Sequence, residues 1–531
     1  MLNIGFPIIV LQLLSFDAIV VTSFDLRMSS SSPTGGGTGL RRVAIVGGGV
    51  AGCAAARQLA KESAALGDAI DVTVFDWGRS VGKTVRQTII AIFFFLCPQP
   101  LVIPLVGGRS SHRCRPEPLG DNDGGKHDVA IPFDHGAQFF HATDKNFLDM
   151  VRPAVTQWPY DLSRLGWLDK ADGSFESSKI DRNSKDGFFG ACDRNLDGHR
   201  FVGVGGMNAI CNELLRGAKE LAPGRVHIHE GTRVAKCERI KSTMDGKDKV
   251  WKLYGDALGH EQANAKAIGQ STQQLFGEFD ELVVSDHMAL SMPSWHPCHI
   301  LGIEDEVPDL VSSIRQALDW DESSRRFRAI KPLFSCMVAL PVGLELNFDA
   351  ASVKNSEVLQ WVCAQKSRPH EVADDTISGM DRWVLVSTVD FATRCLGAEG
   401  MSKPSSGSTI EYIPQTDEYL RSDPADLMWE EFKVLVESTK ANIEVQTPLF
   451  LKCQRWGAAF CEVTGTQCSD ITNAVRSHEN DQSITVCGDF MHILSDADDS
   501  AQTTKFTIQN AALSGVEAAL RIIARSKNRC W

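Results

Sequence analysis

The chain has 531 residues, 43% of them apolar and 23% charged, which is ordinary globular composition and enough for two domains or one elaborate one. Its net charge of −13 argues against a basic face for nucleic acid or anionic lipid, so no nucleic-acid partner is expected. The 15 cysteines are scattered from Cys53 to Cys530 without paired spacing, which argues against a disulfide framework or a zinc centre; reduced thiols and no metal are expected.

Residues 1–40 read as a leader outside the fold. Ile4 to Leu14 resembles the apolar core of a signal peptide, although no Lys or Arg precedes it. After Ser23 and Phe24 comes a Ser- and Gly-rich stretch carrying Arg27, Arg41 and Arg42, with only Asp25 acidic. That arrangement resembles the two-part plastid leader of algae with complex plastids. Translation from Met28 would instead leave a cytoplasmic enzyme with a short tail, and a secretory address is a third reading.

Val43 to Val46 is a short apolar run of the kind a buried parallel strand shows. It leads into Gly47-Gly48-Gly49-Val50-Ala51-Gly52 and then an Ala-rich helix pattern from Cys53. In such a G-x-G-x-x-G turn the first glycine permits the bend and the second admits a pyrophosphate to the backbone amides. The third lets helix and strand pack closely. The pyrophosphate then rests on the positive end of the helix, so Gly47, Gly49, Val50, Ala51 and Gly52 are expected cofactor contacts. A second apolar strand, Val72 to Phe75, ends in Asp76, whose carboxylate is placed to accept hydrogen bonds from ribose hydroxyls. The pattern predicts a dinucleotide site.

The next stretch, DWGRSVGKTVRQTIIAIFFFLCPQPLVIPLVGGRSSHR, spans Asp76 to Arg113. Three residues separate Gly78 from Gly82, one short of a P-loop. Thr88 to Val106 is apolar, but Pro98, Pro100 and Pro104 break its second half. The clean run left is about ten residues, too short to cross a bilayer, so no stable membrane span is expected. Joining Gly82 to Gly108 restores DWGRSVG-GRSSHR, so residues 83–107 read as an insertion. An unspliced intron translated in frame has this character; a family-specific loop is the alternative.

The rejoined segment resembles the turn, closing roughly as G-G-R-x-S/T-x-R, of two-domain FAD enzymes in the renalase-like branch of the amine oxidase superfamily. The resemblance implies that Asp76, Trp77, Arg79, Gly108 and Arg109 hold FAD. Phe133 to Phe140 is similar to that family's F-D-x-G-A-Q-Y/F-F segment, which brings Gly136, Ala137 and Gln138 close to the flavin. Phe201 to Asn208 resembles V-G-x-x-G-M-x, leading to a strand at Arg225 to Ile228 and then to Val234, which would meet the adenine through its backbone. Phe279 to Ser285 resembles the strand returning to the cofactor domain. Ile484 to Asp489 is an apolar strand ending in Gly488 and Asp489, implied to hold the riboflavin-side phosphate and ribityl chain. A helix from about Thr507 to Ile523, carrying Asn510, Ser514 and Gly515, would aim its N-terminus at the flavin N1–C2 edge, where its dipole stabilises negative charge.

Between these segments, Arg328 to Leu346, Val358 to Cys363 and Asp381 to Thr388 are short runs rich in Val and Trp, which predict an antiparallel sheet. Gln454 to Phe460 resembles the family's H-R-W-x-x-A stretch with Gln in place of His. Gln138, Phe139 and Trp456 are flavin-facing candidates, with a core role as the alternative for Trp456 and Phe460; no catalytic residue is assigned. Lys331 is placed by position as a lysine near flavin N5, or else on the surface. Glu371 to Gly379 and Ser402 to Asp417 read as surface insertions.

The resemblance implies an α/β, two-domain FAD-binding Rossmann-type fold with an antiparallel-sheet substrate domain. FAD-binding parts fall at 41–150, 198–295 and 466–525, and substrate-domain parts at 151–197 and 296–465. It implies a small-molecule substrate that gives up a hydride to FAD, and since no sequence feature marks a covalent flavin link, dissociable FAD is expected. An oxidase of reduced nicotinamide nucleotides and a catalytically silent flavin-binding or mis-spliced product are the competing expectations.

Overall fold

The apolar run after Arg42 becomes strand β1, Arg41–Val46, whose side chains alternate between two cores as a strand's period of two requires. Val43 and Ile45 join one buried cluster and Ala44 the other. Around β1 a five-stranded sheet forms from β2 (Ile70–Asp76), β3 (Val226–Glu230), β4 (Glu281–Val284) and β5 (Ile484–Val486), in the order β3-β2-β1-β4-β5. Every pairing is parallel. Val46 sits beside Phe75 on one side and Val284 on the other, so the carboxyl ends of the strands share one edge.

Three helices cover one face. These are α1 (Val50–Ala65), α2 (Ala209–Leu221) and α3 (Ile508–Arg529), with α1 packed against both others. Small residues allow this. A methyl added to Gly515 would collide with the Ala51 carbonyl oxygen, so α1 and α3 meet backbone to backbone. The opposite face packs Phe75, Leu282 and Val284 against Trp251, Leu253 and Phe279 of a three-stranded sheet made by Arg233–Lys241, Lys249–Asp256 and Gln274–Phe279. Burial on both faces explains the apolar run Leu282–Val284 of β4, while Glu281 at its start is buried against Arg41 and Arg525.

A seven-stranded sheet runs in the order Phe450–Cys461, Ile330–Leu340, Asp381–Ser387, Leu359–Ala364, Ala350–Lys354, Leu165–Asp169 and Phe175–Ser177. Its pairings are antiparallel except Ala350–Lys354 with Leu165–Asp169. The helix Asp423–Thr439 buries Trp429 and Phe432 in the same core as Phe334 and Trp383 of this sheet. The architecture is therefore mixed α/β, with several sheets and helices.

This is a computed structural model that describes residues 40–67, 70–77, 110, 112–120, 126–157, 162–177, 200–241, 249–256, 274–324, 326–365, 379–397, 402–404, 410–413, 416–439, 443, 445–461, 473, 475–476, 483–491 and 508–529. The expected leader at 1–40, apart from Leu40, and the expected insertion at 83–107 lie outside them. Among the described residues no helix is long and apolar enough to cross a membrane.

Three local expectations differ from what is found. Phe279 to Ser285 is not one strand but two, broken at Asp280. The Asp280 amide donates to the Arg42 carbonyl at 2.8 Å, and the Arg42 amide donates to the Asp280 carboxylate at 2.6 Å. That clasp carries the chain from one sheet into the next. Helix α3 continues beyond Ile523 to Arg529. Ser402 to Asp417, expected as an insertion, includes the paired strands Ser402–Pro404 and Ile410–Tyr412. Three-residue strands are too short to show a period.

Candidate functional site

At the carboxyl edge of the parallel sheet the chain leaves β1 through Gly47, whose φ of 108° lies where side chains are strained. Its amide donates to the Phe75 carbonyl at 2.8 Å. A methyl at Gly47 would strike the Ser285 side chain, and one at Gly52 would strike the Gly47 carbonyl oxygen. The first turn of α1 is thus folded directly onto the bend. Gly49, the N-cap residue, is extended, and a methyl there would meet nothing within 4 Å. No side chain caps α1, and its first turn holds no acid. Among the described residues the first amides of α1 thus have no side-chain partner, and their partial positive charge suits an anion.

Asp76 is buried at the tip of β2, where its Oδ1 accepts from the Gly48 amide at 3.1 Å, and Glu230 stands beside it at the tip of β3. The Asp76 carbonyl accepts from the Thr232 amide at 2.9 Å. Trp77 lies under the Arg233 guanidinium, 5.3 Å from ring centre to Cζ, within cation–π range. Val234 is buried at an irregularity in the pairing of Arg233–Lys241 with Lys249–Asp256. Arg79, Gly108 and Arg109 lie outside the described residues.

The far end of the sequence reaches the same edge. After β5, the Cys487 amide donates to the Val284 carbonyl at 3.1 Å. Gly488 has a φ of 144°, and its amide donates to Ser514 Oγ of α3 at 2.7 Å. Asp489 and Asn510 are half-buried, Asn510 in the first turn of α3. Ser285 joins the two ends. Its Oγ lies 2.8 Å from the Gly47 carbonyl and 3.1 Å from that of Val46, and its carbonyl is 3.3 Å from where a methyl on Gly488 would stand. Sequence reasoning placed Ser285 only at a strand end. Its one sequence signal is that it follows β4 directly, at the level where Gly47 follows β1.

Burial, then the neighbouring Cys211, holds the Cys53 thiol of α1 well above its ordinary range, so no thiolate stands behind this edge.

A second feature lies beside the seven-stranded sheet. His135, Gly136, Leu333, Ser335, Val386, Trp456 and Ala459 line a small cleft of about 10 Å³, room for about one water. Trp456 stacks on His135 with centroids 5.4 Å apart, and its Nε1 donates to Ser335 Oγ at 2.9 Å and to the His135 carbonyl at 3.2 Å. Of the residues expected to face a flavin, Gly136 and Trp456 border this cleft. Gln138 is turned into the core, where its Nε2 donates to the carbonyls of Asp134 and Gly136 and its Oε1 accepts from Gln365 at 3.0 Å. Phe139 is buried against Trp361, and Ala137 packs on the same core. Lys331 is half-buried two residues before Leu333. His135 and Ser335 were not anticipated, although His135 occupies the variable position of the F-D-x-G-A-Q segment.

Compared with known proteins, the chain matches no family model and no curated protein, so the case for an activity rests on these residues.

Proposed function

We propose that the protein is an FAD-dependent oxidoreductase of amine oxidase type, on a two-domain Rossmann-type fold with an antiparallel-sheet substrate domain. The observation that carries this reading is Ser285, whose hydroxyl lies on the Gly47 bend at the sheet edge that the Gly488 bend also reaches, beside the start of α1. When bound, FAD accepts a hydride from an organic substrate at N5 and passes the electrons to dioxygen or another acceptor. The chain supplies the rest. The amides of α1, with Gly49 leaving room, take the pyrophosphate, and the Asp76 carboxylate takes the ribose hydroxyls. The Val234 backbone meets the adenine. Gly488 and Asp489 hold the ribityl side, with Asn510 and the α3 N-terminus behind. Trp456, Leu333, Val386 and Ala459 keep water from the reacting end. FAD is held without a covalent bond.

One observation favours a second substrate class. No carboxylate lines the cleft among the described residues, so an ammonium group would find no countercharge there. The His135–Trp456 stack borders the cleft as an aromatic wall. That favours an oxidase of reduced nicotinamide nucleotides over an amine oxidase in the narrow sense.

The test is an absorbance spectrum of the purified full chain and of a deletion lacking 83–107, each incubated with FAD and desalted. Flavin bands in either support the reading, and bands in the deletion alone identify the insertion as an obstruction. A colourless product from both overturns it. Anaerobic bleaching by a reduced nicotinamide nucleotide, and not by primary amines, selects the second substrate class.

A further inference from the structure

A group of basic side chains lies beside the strand Arg233–Lys241, adjoining the sheet edge at Arg233 and the cleft at Arg455. The turn 293–302 is zipped onto that strand. The Leu301 amide donates to the Ala235 carbonyl and the Cys237 amide to the Leu301 carbonyl, both at 2.9 Å. This lays His296 and Cys298 alongside the start of the strand, where Arg233 stacks on Trp77. From the other side, Arg455 of the strand Phe450–Cys461 donates to Tyr412 Oη at 3.1 Å and to the Ile413 carbonyl at 2.8 Å. Tyr412 meets His296 edge-on with centroids 5.1 Å apart, so one ring bridges the guanidinium and the imidazole.

His296 is 2% exposed. Its Nδ1 accepts from the Cys298 amide at 3.2 Å, which fixes the proton of the neutral ring on Nε2. That Nε2–H is fully buried and finds no acceptor among the described residues, and the same is true of Arg233 Nε. Buried donors are paired in nearly all native proteins, so two unpartnered ones in a group of bases mark a missing acceptor. Burial first, then Arg455, His299, Arg233 and His287, pushes the His296 pKa down to about 3. The groups acting most strongly on it are all bases. Asp256, opposite Arg233 in the next strand, offsets part of the positive charge. Donors without an acceptor, in a positive field and out of water, suit an anion with several oxygens.

We propose that His296, Arg233 and Arg455 form a binding site for one oxyanion, a phosphate or carboxylate borne by a small ligand, between the strands Arg233–Lys241 and Phe450–Cys461. Two sources share this chemistry. One is a phosphate of the dinucleotide, because Arg233 stacks on Trp77 next to Asp76. The other is the anionic group of the substrate, because Arg455 is the neighbour of Trp456 in sequence.

The probe is inorganic phosphate, titrated calorimetrically into the flavin-free full chain in a buffer without other oxyanions. One saturable site is expected. His296→Gln and Arg233→Met should each weaken it roughly tenfold or more, the worth of a hydrogen bond to a charged group. Arg239→Met, further along the same strand, should leave it unchanged. No saturable binding, or equal affinity in all four proteins, overturns the proposal. A measurement on the wild type guards against a misfolded variant. The His296 imidazole N–H resonance should move when phosphate binds, and a resonance unmoved at saturation also overturns it. Repeating the titration at saturating FAD separates the sources. Lost phosphate binding assigns the oxyanion to the dinucleotide, and retained binding assigns it to a second ligand. Phosphate bound by a chain that takes no flavin keeps this site and removes the FAD reading, whereas flavin without a phosphate site does the reverse.

Discussion

The Ser285 hydroxyl lies 2.8 Å from the Gly47 carbonyl oxygen, a contact between residues 238 apart in sequence that fixes the bend at the end of β1. Removing it with Ser285→Ala leaves that carbonyl to find water or go unpaired. We expect a loss of about 1–2 kcal/mol in stability, read from urea unfolding, together with lower flavin retention. A variant as stable as the wild type would show that the bend holds itself.

Two neighbouring glycines should separate binding from stability. The methyl of Gly49→Ala enters open space, and its extended backbone suits alanine, so its melting temperature should stay close to that of the wild type while flavin affinity falls at least about tenfold. Gly52→Ala drives its methyl into the Gly47 carbonyl and should cost about 1–3 kcal/mol or more, read by thermal melting in the absence of FAD. Equal melting temperatures for the two variants would contradict the geometry of the turn.

Gly515→Ala tests the junction of α1 with α3. The methyl meets the Ala51 carbonyl oxygen, an atom of helix backbone that cannot swing aside, so the helices must part. A loss of about 1–3 kcal/mol is expected in chemical denaturation, with no change for Gly379→Ala, whose methyl meets nothing within 4 Å among the described residues and whose backbone is not left-handed. A stability gain at position 515 would mean the helices are not in backbone contact.

Acid should destabilise the protein through His296. Its folded pKa, pushed down to about 3, lies below the ordinary unfolded value of 6.5, so the unfolded chain takes up the proton first. The stability present above the unfolded pKa is lost as pH falls below it. In oxyanion-free buffer the wild type should lose about 2 kcal/mol relative to His296→Gln between pH 7 and pH 5. His229 and His299, both lowered by burial, act in the same direction and should persist in the variant. Parallel stability curves for the two proteins would show that His296 is solvated.

The parts of this fold legible in the sequence are those with local causes. The glycines at 47 and 52 announce themselves because a left-handed bend and a close helix approach admit nothing larger, and β1, β2 and β5 because burial on both faces leaves an apolar run. The rest depends on distant partners. Ser285 is one serine among many until β4 lies beside β1. His296 reads as any polar loop residue, and its burial arises only when the strand carrying Arg455 closes over it through Tyr412. The break at Asp280 needs Arg42 from another segment. Gln138 carried a resemblance, but which way an amide points is decided by Gln365, 227 residues away.

The backbone contact of Gly515 with Ala51 also sets a schedule for synthesis. The first strand and helix emerge early, yet their neighbours β4, β5 and α3 are encoded far downstream. At about 5–20 residues per second, on the order of 25–90 s separates the emergence of Gly49 from that of Gly515. For that interval the apolar faces of β1 and α1 have no permanent cover, and partners so far apart in sequence form slowly even once both exist. The junction that completes the helical layer over β1 therefore forms only late in synthesis, and a truncation before α3 would leave the apolar face of α1 uncovered.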